Sequence, residues 1–351
     1  MNALQSKWLP GGVFVARRLA VTALTLLGLV TLVFAMIKAI PGDEAQVAAG
    51  PEASPAQVEL VRQRMGLDAP LVVQYGRFVG QVLHGDLGTS VSTLQPVLDD
   101  VLKVFPSTLE LVIVTLLLSL LLAVPAAVAA ATWRDSTFDR ACRVGAVAAG
   151  GMPTFWLALL AQYVLASRWG LLPISGQQSL DFSVQVRTQM PVVDALLAGD
   201  LAAFVDALRH IVLPAFSLAA FFAAQFFRTL RASLIAILES DFIVPVRAKG
   251  ASFARIMLRH ALPNAIGPTV TLVGVLLGMM IGSSVLVESV FGRQGVGAYL
   301  SNAVEQKDTY AVLGAVLFVG AVVCVSNVLV DLLLLAVDPR VRAAQLHGSK
   351  R

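Results

Sequence analysis

The hydrophobic positions of this chain gather into six long uncharged runs, at 19–37, 111–133, 144–167, 211–227, 261–287 and 309–330, divided by polar connections. A helix needs about 20 residues to cross a hydrocarbon core, so each run predicts a membrane-spanning helix. The fourth run is short, but Thr229, Leu230 and 232–238 carry its helix past the bilayer, with Arg228 and Arg231 at the interface. With such flanks the predicted spans are 19–37, 107–133, 144–167, 211–238, 264–287 and 309–337. The last tolerates Asp331 and stops at Asp338-Pro339. The expected fold class is all-α, a polytopic membrane protein.

Composition agrees with a lipid solvent. A chain of 351 residues that is 57% hydrophobic and 14% charged cannot bury that much apolar surface in one soluble core. Cys142 and Cys324 sit at the start of and inside apolar stretches, without the spacing of a metal site or a disulfide framework. Lys7, Arg17 and Arg18 precede the first run, as they would in a signal peptide. The run is too long for a signal core, however, and 38–42 offers no small-residue cleavage site, so it reads as an anchor.

Six spans place both termini on one face. Sixteen of the 26 basic residues lie on that face against five acids, which by the positive-inside rule makes it cytoplasmic. It carries 1–18, 134–143, 239–263 and 338–351; the opposite face carries 38–106, 168–210 and 288–308. The 38–106 segment has helical patterning at 56–65 and turn signals at Gly42-Asp43 and Gly85-Asp86, predicting a small helical cap. In 168–210, Pro173, Gly176, Pro191 and Gly199 predict short helices near the membrane face. The basic residues are dispersed without interleaved aromatics, which points to membrane lipid and away from nucleic acid.

Catalytic signatures are missing. The four histidines make no metal-ligand spacing, no Gly-x-Ser-x-Gly elbow occurs, and Lys249-Gly250 reverses the order a phosphate loop requires. Catalytic residues, bound metal and a cofactor in this chain are therefore not expected. Ser107-Thr108-Leu109-Glu110 reads as a capping box opening the second span, with Ser107 and Glu110 exchanging hydrogen bonds with each other's backbone. Gly274, Gly278 and Gly282, followed by Ser283 and Ser284, mark a helix face for close packing, within the subunit or against a partner. Asn327 and Asp331 share a face near the inner end of the sixth span and read as a structural hydrogen-bonding pair. Mid-depth ionisable groups, which an ion-coupled secondary transporter needs, are lacking in all six runs.

The loop at 239–263 is longer than a helix connection needs. A helix, a break at Gly250 and a second helix from Phe253 would project a knob from the membrane surface. Arg247, Ala248, Lys249, Gly250, Ala251 and Ser252 form its centre, and either anionic lipid or a docking protein suits them.

These residues bring a family into view. The 247–252 sequence with Leu258-Arg259-His260-Ala261-Leu262 resembles the coupling loop of inner-membrane permeases of binding-protein-dependent ABC importers, in the dipeptide, oligopeptide and nickel branch. The motifs Ile40-Pro41-Gly42-Asp43, Met65-Gly66-Leu67-Asp68, His84-Gly85-Asp86-Leu87-Gly88, Pro106–Leu111, Pro153-Thr154-Phe155-Trp156, Glu288-Ser289-Val290-Phe291 and Asp338-Pro339-Arg340 follow in family order. The chain departs from the pattern at Pro245-Val246, at Gly292-Arg293-Gln294 and in the length of 168–210. The resemblance implies the type I importer permease fold and alternating access in the bacterial plasma membrane. It implies four kinds of partner contact: a second homologous permease, two ATP-binding domains that hold ATP and Mg, an extracytoplasmic substrate-binding protein, and lipid. It implies a peptide as the solute, with a nickel chelate or another small solute as the alternative.

Overall fold

The computed structural model describes residues 9–39, 44–50, 53–182 and 184–337. The Ile40–Asp43 motif, Lys7, the Asp338-Pro339 stop and the basic C-terminal tail lie outside the described residues. Within them the structure is helical, and the lone extended pairing is an isolated bridge between Thr89 and Pro96. The helices are α1 (Leu9–Ala39), α2 (Glu44–Ala49), α3 (Pro55–Met65), α4 (Leu71–Leu83), α5 (Val97–Thr132), α6 (Thr137–Gly151) and α7 (Thr154–Ala161). They continue with α8 (Pro191–Ala198), α9 (Leu201–Leu238), α10 (Val244–Ala248), α11 (Phe253–Arg255), α12 (Leu262–Ala265), α13 (Gly267–Phe291), α14 (Val296–Glu305) and α15 (Thr309–Val337). Wider π-helical turns extend α7 through Gln162–Arg168 and join α11 to α12 through Ile256–Ala261.

Among the described residues five helices are long and apolar enough to cross a membrane: Val15–Ala39 of α1, α5, α9, α13 and Thr309–Leu332 of α15. The third predicted span is instead a pair, α6 and the α7 segment, bent by 105°. Met152 at the break is extended (φ −95°, ψ 138°), because the ring of the following proline clashes with a helical conformation at the residue before it.

The chain divides into two compact units, 1–105 with 298–328, and 106–297 with 329–351. In the first, Val30 and Val33 of α1 pack with Leu313 and Leu317 of α15. Phe34 packs against the rings of Tyr75 and Phe78 on α4, and the Thr31 and Tyr75 hydroxyls lie 2.7 Å apart. The predicted helix at 56–65 is present as α3, opened by a reciprocal capping box between Ser54 and Gln57. Asp308 caps α15 through the Ala311 amide at 3.0 Å, and its other oxygen accepts from Ser90 Oγ at 2.7 Å and from Ser92. Burial raises the Asp308 pKa, but these hydrogen bonds outweigh it and hold the carboxyl below its ordinary range.

In the second unit α9 is the central post. Its 38 residues span about 57 Å at 1.5 Å per residue, and α6, α7, α8 and α13 pack around it. Ala215, Ala219 and Ala223 let those neighbours approach, and Ile211, Leu213 and Leu218 pack with Leu111, Val287 and Phe291 into one core.

The capping-box reading of Ser107 and Glu110 is corrected. Helix α5 starts at Val97 and takes Pro106 into its interior, so both residues lie mid-helix, where backbone amides are already bonded. The glycine face is also corrected in part. Gly274 and Gly278 are buried, but Gly282 is exposed with open space where a side chain would lie. Steps of four residues drift by about 40° around a 3.6-residue helix, so the eight from Gly274 to Gly282 turn it well off the packed side. A Cβ on Gly274 would run into Val330 of α15, so this packing is within the chain.

Candidate functional site

Two places in the second unit combine polar chemistry with a defined frame. One is the loop from Glu239 to Ile266, between α9 and α13. The buried side chains of Ile243, Ile256, Met257, Ala261 and Ala265 root it. The Phe242 and His260 rings meet edge to face with centroids 6.4 Å apart, and Asn264 Nδ2 donates to the His260 carbonyl at 2.7 Å. Pro245 sits in the first turn of α10, where a missing amide costs nothing. Gly250 then ends the turn at φ +75°, with its amide donating to the Arg247 carbonyl at 2.9 Å. Nothing lies within 4 Å of where its Cβ would be, so backbone conformation alone demands glycine there.

The tip of this loop faces outward. Arg247, Ala248, Lys249, Gly250 and Ser252 are exposed and Ala251 is half-buried, so the structure brings all six predicted residues together. Exposed Phe242, Val244, Phe253 and Leu258 add apolar surface beside these cations. The base is braced. Asp139 on α6, its side chain fully buried, receives Arg231 of α9 through two bonds of 2.6 Å, and Arg134 pairs with Glu239 at the end of α9. The bidentate geometry fixes the orientation of α9 against α6 as well as their distance.

The other place is a buried polar knot beyond the far end of α13. Glu110 of α5 pairs with Arg293 at 3.2 Å, both side chains almost fully buried. The other Glu110 oxygen accepts from the Val192 amide of α8 at 2.8 Å. Glu288 accepts from the Gly297 amide at 2.8 Å, Thr108 Oγ1 accepts from the Val296 amide at 2.9 Å, and Ser107 accepts from Gln177. A Cβ on Gly295 would collide with the Glu288 carboxylate. Burial pulls Arg293 below the ordinary guanidinium range, while Glu110 and then Glu288 push back. The knot thus ties the 168–200 segment and the turn after α13 onto α5.

Ser107 and Glu110 therefore act as acceptors for distant partners. Ser283 is half-buried, and Ser284 is buried and donates to the carbonyl of Ile281 at 2.8 Å. Arg293, Glu288 and the Arg231–Asp139 pair were missed as functional positions. The available signal was an arginine and a glutamate placed immediately after an apolar run, five residues apart.

Several apolar helices of spanning length and an outward cationic loop braced to the central post describe a polytopic membrane protein. Residues 123–343 match the family of binding-protein-dependent transport system inner membrane components, and 13–112 match the N-terminal region of such membrane components. The chain is 38% identical over 320 residues to the probable D,D-dipeptide transport system permease protein DdpB of Escherichia coli (strain K12), covering 91% of this chain and 94% of that one. It is 35% identical to the di/tripeptide transport system permease protein DppB of Pseudomonas aeruginosa (strain UCBPP-PA14), over 94% of this chain and 98% of that one. It is 33% identical to the glutathione transport system permease protein GsiC of Salmonella paratyphi A (strain ATCC 9150 / SARB42), over the same shares. The chain belongs to this family and is a multi-pass inner-membrane permease of an ABC importer, a transport component whose ATPase is a separate subunit.

Proposed function

We propose that this permease forms half of a pathway for short peptides, delivered by an extracytoplasmic binding protein and driven by two partner ATP-binding domains that hold ATP and Mg. A second, homologous permease completes the pathway. The likeness along nearly the whole chain to permeases named for dipeptides, di/tripeptides and glutathione carries the substrate class.

The exposed loop at Arg247–Ser252 is the docking element for the ATPase, on the cytoplasmic face together with both termini. Its form supports this: a five-residue helix, a glycine break and outward cations on a base rigidly bonded to α9. When the ATPase domains close, the loop moves with them, and α9 and α13 carry the displacement along the second unit, in the manner of rigid-element switching. The test is ATP-dependent uptake of a labelled dipeptide into proteoliposomes holding the full complex. Uptake is expected with the binding protein and ATP present, and its persistence without ATP would overturn the reading.

A further inference from the structure

A cavity of about 620 Å³ lies wholly within the first unit, walled by the last turns of α1, by α3, α4 and the loop at 86–91. Phe34, Ile37, Phe78 and Leu87 line its apolar side, and among the described residues Lys38, Arg64 and Arg77 share the lining with one acid, Asp86. The acid is engaged locally, accepting the Gly88 amide at 3.0 Å.

Lys38 and Arg77 are positioned by their surroundings, and Arg64 is exposed. Lys38 Nζ donates to Gln74 at 2.6 Å and lies 5.5 Å from the Phe34 ring centroid, while Gln74 donates to the Leu67 and Ala69 carbonyls. The Arg77 guanidinium lies where a Cβ on Gly66 would be, and Gly66 has φ +64°. Neither Arg64 nor Arg77 has a hydrogen-bond or ion-pair partner among the described residues. Around the cavity, Leu32 and Met36 of α1 and Val72 and Leu83 of α4 are exposed, presenting apolar surface beside a cationic rim.

The geometry points to a binding site for the headgroup of an anionic phospholipid. Its phosphate sits between Arg64 and Arg77, whose planar forks match phosphate oxygens, and its acyl chains lie along the exposed face of α1. A free phosphate would make no use of the apolar wall. Lipid satisfies both halves of the site, because the membrane span of α1 ends at this cavity.

Native mass spectrometry of the delipidated transport complex in neutral detergent, titrated with phosphatidylglycerol, tests this. Phosphatidylglycerol should bind, with phosphatidylcholine and glycerol 3-phosphate far weaker. The Arg64→Gln/Arg77→Gln variant should bind it about thirty-fold more weakly, from the roughly fivefold that each surface cation contributes toward an anionic leaflet. Should that variant fail to assemble, the wild-type complex still decides the matter: affinity should fall as salt rises, because the attraction is screened. Equal binding of phosphatidylcholine, unchanged binding by the variant, a flat salt response, or displacement by a dipeptide would each overturn the site. No transport is measured, so the result is separate from that of the uptake assay.

Discussion

The polar knot around Glu110 and Arg293 and the loop around Gly250 belong to one unit and use charge in opposite ways. In the knot, carboxylates and a guanidinium are buried and bonded to one another or to backbone amides, so their work is to hold segments together. In the loop the cations have water beside them and the buried residues are aliphatic, so the charge remains available to a partner. The contrast teaches that a charge's burial, more than its identity, separates fastening from docking. It also says that variants in the two regions should fail differently.

The largest effect on stability is expected from Arg293→Met, which leaves Glu110 buried without its counter-charge. It should cost roughly 3–5 kcal/mol, read as a lowered thermal midpoint in detergent, with Glu110→Leu restoring much of the loss in the double variant. An unchanged midpoint in Arg293→Met would dissolve the distinction between the regions. Gly295→Ala should follow at about 1–3 kcal/mol, since its methyl must displace the Glu288 carboxylate.

Gly250→Val should cost only about 1–2 kcal/mol in stability, from the left-handed conformation. It should nonetheless reduce dipeptide uptake at least about tenfold while ATP hydrolysis continues, a drop equivalent to about 1.4 kcal/mol of lost coupling. Full uptake in this variant would remove the docking role. Lys249→Ala should change stability by less than about 0.5 kcal/mol and weaken ATPase association, measured by co-purification.

Asp308 offers a smaller test of the buried half of the comparison. Its folded pKa is depressed, so its stabilising contribution is complete above the ordinary carboxylate value of about 3.9 and disappears as pH falls through the lower folded value. Asp308→Asn should flatten that part of an acid-denaturation profile. A profile identical to wild type would show that the Ser90 and Ser92 bonds carry no net stabilisation.

Much of the loop was legible in the sequence because its meaning is local: Gly250 between two helix-forming stretches, with cations around it and spans on either side. The knot was not, because Ser107-x-x-Glu110 has the same form as the Ser54-x-x-Gln57 box that does open a helix. At Ser54 a proline stands at the first helical position, and Ala53 and Ser54 before it are not helical. At Ser107 ten residues of helix already precede it, beginning at Val97, so the amides a capping box would satisfy are not free. The partners that Ser107 and Glu110 actually use, Gln177, Val192 and Arg293, lie 70, 82 and 183 residues away, beyond the reach of any spacing rule.

By itself the sequence determined the lipid solvent, the apolar helices and the turn at Gly250. These follow from the length of uncharged runs and from backbone preferences that act over a few residues. Only the tertiary structure decided that the third apolar run breaks through 105°, that Gly274 packs inward while Gly282 does not, and that Glu110 faces Arg293. Each of these depends on which surfaces meet after the chain has folded, and packing between distant segments leaves no periodic trace in either segment alone.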